Sequence, residues 1–82
     1  MSKKQVLVNL VRDYYKAKKV VESVETFRQS LRAEKYILLY TRLYKRKLKE
    51  AGFSKDKHKE TIAYRVEILE NILYDIQLNI SK

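Results

Sequence analysis

The stretch YTRLYKRKLKEAGFS, residues 40–54, ends a helix at the chain's only glycine. Gly52 is predicted to be the left-handed residue that closes a Schellman motif, with Phe53 folding back onto Leu48. Ser54 is then the N-cap of the next helix, and Asp56 lies in its first turn, where a negative charge is favourable. The stretch therefore predicts two helices that are joined by a tight turn.

The helix before this turn separates into an apolar face and a basic face. At 100° per residue, one arc of about 140° predicts the core side; it contains Ala33, Tyr36, Ile37, Tyr40, Leu43, Tyr44, Leu48 and Ala51. An opposite arc of about 100° contains six cations, here termed the basic row: Arg28, Arg32, Lys35, Arg42, Arg46 and Lys49. Leu39 occupies the one step of the row at which a cation is missing. Leu38 and Leu39 lie outside the core arc, and they indicate either a contact surface or ordinary scattered exposure.

Two further apolar stripes predict a helix on each side of this one. The first stripe is Leu7, Leu10, Tyr14, Ala17, Val21 and Val24. It follows an N-cap at Ser2, where Gln5 fits a capping box and Met1 is spaced to pack on Val6. The second stripe keeps a 4-3-4-3-4 spacing through Ile62, Val66, Leu69, Leu73, Ile76 and Ile80. With no proline and one glycine, the chain is expected to be all-α.

The border between the first two helices decides between two architectures. Thr26 and Gln29 fit a second capping box, which favours a break near residues 24–30. Without that break, a helix from residue 3 to 51 would be about 75 Å long. We predict a single domain over residues 1–82 that forms a small three-helix bundle, with helices at about 3–25, 28–51 and 55–80. The alternative is a long helical hairpin that dimerises.

The composition argues against several classes of protein. With no cysteine and one histidine, the chain has neither a disulfide nor a thiolate metal site, and we predict no metal and no cofactor. No Gly-rich phosphate loop or acid–base pair is recognisable, so we predict no enzymatic activity. No apolar run reaches the length of about 18 residues that a membrane span needs, and the amino terminus lacks a signal-peptide pattern. We therefore expect a cytoplasmic protein that does not associate with membranes.

The charge distribution points to a polyanionic partner. The net charge is +9, and residues 26–51 carry eight of the basic residues but only two acidic ones. We predict a small nucleic-acid-binding protein, with DNA favoured over RNA, that acts as a homodimeric regulator or accessory factor through phosphate contacts from the basic row. The alternative is an adaptor or small subunit whose basic face docks an acidic protein partner. A solvated face that complements the helix dipole is the plainest interpretation of the row.

A second group of cations follows the glycine turn. Lys55 and Lys57 open the third helix, and KEAGFSKDK resembles the turn of a helix-turn-helix. In that case Lys55, Lys57, His58 and Arg65 would face DNA; in the alternative, a plain stop between bundle helices, His58 is a surface residue. The Lys- and Tyr-rich composition is generically similar to that of small accessory proteins of viruses and plasmids.

Overall fold

The fold is a bundle of three helical rods. The computed structural model describes residues 2–81, and within them the helices are α1 (Lys3–Glu22), α2 (Phe27–Glu50), α3 (Lys55–His58) and α4 (Tyr64–Ser81). A π-helical segment, Lys59–Ala63, joins α3 to α4 without a break, so these three elements make one rod. Each rod packs on the other two. The predicted all-α three-helix bundle is confirmed, and the unbroken helix from residue 3 to 51 does not form. Met1, expected to pack on Val6, lies outside the described residues.

The start of α2 is fixed by the capping box that the sequence predicts. Thr26 Oγ1 accepts a hydrogen bond from the Gln29 N–H at 3.2 Å, and Gln29 Oε1 accepts one from the Thr26 N–H at 3.3 Å. At the start of α1, Ser2 Oγ accepts from the Gln5 N–H at 3.1 Å, but Gln5 Nε2 donates to Asn9 Oδ1 at 3.0 Å. Within residues 2–81, the box expected at Ser2 is therefore only half formed.

The turn after α2 has the predicted Schellman geometry. The Phe53 N–H donates to the Leu48 carbonyl and the Gly52 N–H donates to the Lys49 carbonyl, each at 3.0 Å. Gly52 has φ +89°, a left-handed conformation that a residue with a Cβ adopts only with strain. This turn reverses the chain so that the third rod packs against α2.

The core is a continuous cluster that all three rods supply. Its buried apolar side chains are Val6, Leu10, Tyr14, Ala17, Val21, Val24, Ala33, Ile37, Tyr40, Tyr44, Leu48, Ile62, Leu69 and Leu73. Leu7 is only partly buried, because α1 turns Val6 inward in its place. Tyr36, predicted in the core arc, is 38% exposed, since it lies at the edge of that arc.

The core side chains change in size along the bundle. Near the connection between α1 and α2 they are small or medium-sized, and Ala17, Val21, Ser30 and Ala33 are almost fully buried there. Farther from that connection the same two helices meet through tyrosines, including Tyr40 and Tyr44. The bundle therefore has a small-residue end and a tyrosine end.

The π-helical segment is the main departure from the predicted helix over residues 55–80. Ser54 caps α3 as predicted, through a 3.3 Å hydrogen bond from the Lys57 N–H. The Thr61 hydroxyl donates to the Lys57 carbonyl at 2.7 Å, which is the acceptor that an α-helix assigns to the Thr61 N–H. Arg65 Nη1 in turn donates to the Thr61 carbonyl at 2.8 Å. These side-chain contacts accompany the wider helical turn.

Candidate nucleic-acid interface

The structure presents the whole basic row on one exposed face of α2. All six side chains are exposed, on the side of the helix opposite the buried positions Ile37, Tyr44 and Leu48. Because α2 is unbroken from Phe27 to Glu50, the row has fixed spacing and a length of about 30 Å. A rigid helix thus carries the cations that the sequence singled out.

The row consists of two groups of three cations. Arg28, Arg32 and Lys35 form one group, and Arg42, Arg46 and Lys49 form the other. Each group spans about 10 Å along the helix axis, and a similar distance separates the two groups. Leu39 lies between them with 53% of its surface exposed. The surface therefore has two positively charged zones that are separated by one exposed apolar side chain.

The positive charge of the row is almost uncompensated within the chain. Among residues 2–81, Arg46 is the one member with an ion-pair partner, and its Nε lies 3.9 Å from Glu50 Oε1. Both side chains are largely exposed, so this pair contributes little. Like charges three and four residues apart repel by a few tenths of a kcal/mol per pair. An anion bound along α2 would relieve that repulsion.

Lys55 and Lys57 lie on a different helix from the basic row. They lie on α3, beyond the glycine turn, and only Lys55 is exposed. Lys57 is half-buried, and its ammonium lies 3.7 Å from Glu60 Oε2. Both lysines therefore open the third rod, as the sequence predicted, and their contact with nucleic acid stays a prediction.

Two other residues of the helix-turn-helix hypothesis point into the bundle. The Arg65 guanidinium donates to the Thr61 carbonyl and lies 5.8 Å from the centre of the Tyr14 ring. His58 is half-buried, and its buried Nε2 has no hydrogen-bond partner among residues 2–81, so this side chain is less exposed than the sequence predicted. Neither side chain is arranged to face a ligand.

Two buried tyrosines fix how α2 is rotated on the bundle, and hence where the row faces. The Tyr40 hydroxyl donates to the Leu10 carbonyl at 2.8 Å, and the Tyr44 hydroxyl donates to the carboxylate of Asp13. Their ring centres are 4.9 Å apart. Both rings lie in the core, as the sequence predicted, and both hydroxyls are bonded to α1. Burial raises the pKa of both phenols, and for Tyr44 the hydrogen bond to Asp13 adds to the rise.

Asp13 is the anionic end of this contact. Partial burial by itself would raise the pKa of its carboxyl group, but hydrogen bonds from Tyr44 and Arg12 and the charges of Arg12 and Lys16 outweigh burial. The result is a pKa below the ordinary value of 3.8. Asp13 therefore stays ionised over the physiological range, and sequence reasoning had assigned it no structural role.

Sequence reasoning also missed a groove between α2 and the third rod, here termed the α2–α4 groove. Its volume is about 770 Å³. Ile37, Val66 and Leu73 contribute apolar surface, and the lining also includes Glu34, Leu38, Thr41, Lys45, Ala63, Glu67, Glu70, Asn71, Tyr74 and Gln77. Four lining residues of α2 follow a 4-3-4 spacing, so periodicity marks their shared face. The groove itself depends on where the third rod packs, which periodicity does not determine.

Comparisons with protein-family models, curated proteins and solved structures give no match. Within residues 2–81, no helix combines the length and the hydropathy that crossing a bilayer requires.

Proposed function

We propose that this protein binds nucleic acid, DNA in preference to RNA, through phosphate contacts from the basic row. The observation that carries the proposal is the set of six exposed cations on one face of α2, of which five have no ion-pair partner within residues 2–81. Arginine can hold a phosphate through two parallel hydrogen bonds, and lysine binds it as a point charge. Such contacts fix position on a duplex and carry little sequence information. The protein would act as a regulator or accessory factor, and not as a catalyst.

The dimensions of the row suit an extended polyanion. Its length of about 30 Å corresponds to about nine base pairs of duplex DNA at 3.4 Å per pair. If all six cations each neutralised one phosphate, the slope of log K against log salt would be near −5. Binding of this kind is strong at low salt and falls steeply as salt is added.

A salt series with matched variants tests the proposal. Binding of the purified protein to duplex DNA, single-stranded DNA and RNA would be measured by fluorescence anisotropy at several salt concentrations. Combining Arg42→Ala with Arg46→Ala should make the slope shallower by about 2, because two phosphate contacts are lost. Combining Lys4→Ala with Lys19→Ala removes two exposed cations of α1 and should leave the slope unchanged. Absence of binding at low salt, or equal slopes for the two double variants, would overturn the proposal.

A second candidate function is docking to an acidic protein. Leu39 favours it, because an apolar side chain between two charged zones has no partner on a phosphate backbone but can be buried in a protein interface. The two functions separate cleanly in experiment. If this alternative holds, a protein partner co-purifies with the chain and buries Leu39. The isolated chain then does not bind nucleic acid.

The homodimer and the cytoplasmic location that the sequence suggests both stay predictions. A dimer would double the number of phosphate contacts on a single duplex, and avidity would then raise the apparent affinity.

A further inference from the structure

The starting observation is an exposed stripe on α2 beside the basic row. Phe27, Leu31, Glu34, Leu38, Thr41 and Lys45 repeat at a 4-3-4-3-4 spacing, the pattern of a helix face that packs on another helix. We term this stripe the seam. Its apolar members are unusually open: Phe27 is 61% exposed, and Leu31 and Leu38 are each 48% exposed. The core uses a different face of α2, so within residues 2–81 the third rod touches only the edge of the seam, where Thr41 is half-buried and Glu34 is bonded to Gln77.

The seam adjoins the α2–α4 groove and shares four residues with it. Glu34, Leu38, Thr41 and Lys45 form one wall of the groove, and the exposed ring of Tyr74 belongs to the other wall. Gln77 Nε2 donates to Glu34 Oε1 at 2.7 Å, which holds that carboxylate at the edge of the groove. The seam wall of the groove therefore carries one oriented acidic residue, Glu34, towards one end and one basic residue, Lys45, towards the other, while Glu67 and Glu70 belong to the opposite wall.

We infer that a second copy of this chain packs its seam against this one, with the two α2 helices antiparallel. Glu34 and Lys45 are placed symmetrically about a midpoint between Leu38 and Thr41. In an antiparallel pair, Glu34 therefore faces Lys45 of the other copy and Leu38 faces its Thr41, and each contact occurs twice. A parallel pair in register would instead oppose Glu34 to Glu34 and Lys45 to Lys45. Charge complementarity thus selects both the occupant and its direction.

This arrangement has a consequence for the basic row, and that consequence rests on the proposed function. At 100° per residue, the centre of the row lies about 90° around α2 from the centre of the seam. A two-fold axis perpendicular to the two antiparallel helices leaves both rows on the same side of the dimer. One face would then carry both basic rows, suited to a single nucleic-acid molecule.

The charge pattern allows a sharp test by sedimentation velocity over micromolar to millimolar concentrations. The unaltered chain should dimerise reversibly. Glu34→Lys and Lys45→Glu should each raise the dimer Kd at least about tenfold, because the two-fold axis creates two like-charge contacts. An equimolar mixture of the two variants should form heterodimers with a Kd near that of the unaltered chain, since both contacts then join opposite charges.

Controls of the same charge change lie off the seam. Glu50→Lys on α2 and Lys19→Glu on α1 should leave the dimer Kd within about twofold of the original, as exposed charges away from an interface contribute little. Circular dichroism would verify that each variant folds.

Three results would overturn the inference. The first is a chain that stays monomeric into the millimolar range. The same result is expected if the groove binds a different protein and not a second copy. The second is a dimer that neither seam variant weakens. The third is a mixture that associates no better than its components. None of the seam variants alters a member of the basic row, so failure to dimerise and failure to bind nucleic acid are measured independently.

Discussion

Replacing Tyr44 by phenylalanine tests the contact that orients α2, and with it the basic row. Tyr44 is fully buried, so the variant keeps the ring packing and loses the hydroxyl that donates to Asp13. A hydrogen bond to a charged acceptor contributes about 1.5–3 kcal/mol. Asp13 is partly exposed and keeps Arg12 at 3.2 Å, so we expect a loss near the lower limit, about 1.5 kcal/mol. For a chain of this size, that lowers Tm by about 6–12 °C.

The assay is urea denaturation followed by circular dichroism, with Tyr74→Phe as the matched control. Tyr74 is exposed and forms no hydrogen bond through its hydroxyl within residues 2–81. The Tyr74→Phe variant should therefore differ from the unaltered chain by less than about 0.5 kcal/mol in free energy of unfolding.

The acid dependence of the Tyr44→Phe effect gives a second readout. The hydrogen bond from Tyr44 helps to lower the pKa of folded Asp13 below 3.8, so the stability linked to this carboxyl group is complete above 3.8. It is lost as pH falls through the depressed folded value. The difference between the unaltered chain and the variant should therefore be full at neutral pH and should shrink in strong acid. Unchanged stability at neutral pH, or a difference that persists in strong acid, would refute the assignment.

Three further perturbations address the turn, the cap and the buried phenols. Gly52→Ala should lower the free energy of unfolding by about 1 kcal/mol in thermal melts, because alanine is strained at φ +89°. The added methyl group would meet only Lys3 Cε at 3.8 Å, so a steric clash is not the reason. Asparagine tolerates this φ better than alanine, so an equal loss in Gly52→Asn would argue against backbone strain as the cause. Thr26→Ala should cost about 1 kcal/mol in chemical denaturation, whereas Thr26→Ser should retain most of the stability; equal losses would show that the capping oxygen is not responsible. Because Tyr40 and Tyr44 have a raised pKa in the folded state, the stability that they contribute is complete below the ordinary value of 10.0 and falls at higher pH, by up to about 1.4 kcal/mol per pH unit for each phenol. Denaturation curves across the alkaline range would show this slope, and a flat profile would contradict the burial of the phenols.

The start and the end of α2 could be predicted because their causes are local. The Thr26 capping box and the Gly52 turn are each closed by hydrogen bonds between residues at most five positions apart. The exposed face of α2 was equally accessible to prediction, since a buried stripe fixes the opposite side of a helix. The position of the basic row follows from this periodicity.

What escaped prediction depends on partners that are distant in the chain. Tyr44 meets Asp13 across 31 residues and Tyr40 meets Leu10 across 30, and no periodicity specifies such pairs. Likewise, the inward position of Arg65 depends on a ring of α1, and the α2–α4 groove depends on how the third rod is placed. The π-helical turn has a local trigger in Thr61, but threonine also occurs in ordinary helices, so the residue alone is not diagnostic.

The change in core side-chain size along the bundle makes its two ends sensitive to opposite kinds of mutation. At the small-residue end, any larger side chain at Ala17 or Ala33 must enter a site that is almost fully buried, and overpacking typically costs about 1–3 kcal/mol. At the tyrosine end, truncation of Tyr40 or Tyr44 instead leaves a void and removes a hydrogen bond to α1. Selection acting on this chain would therefore disfavour larger side chains at one end of the bundle and smaller ones at the other.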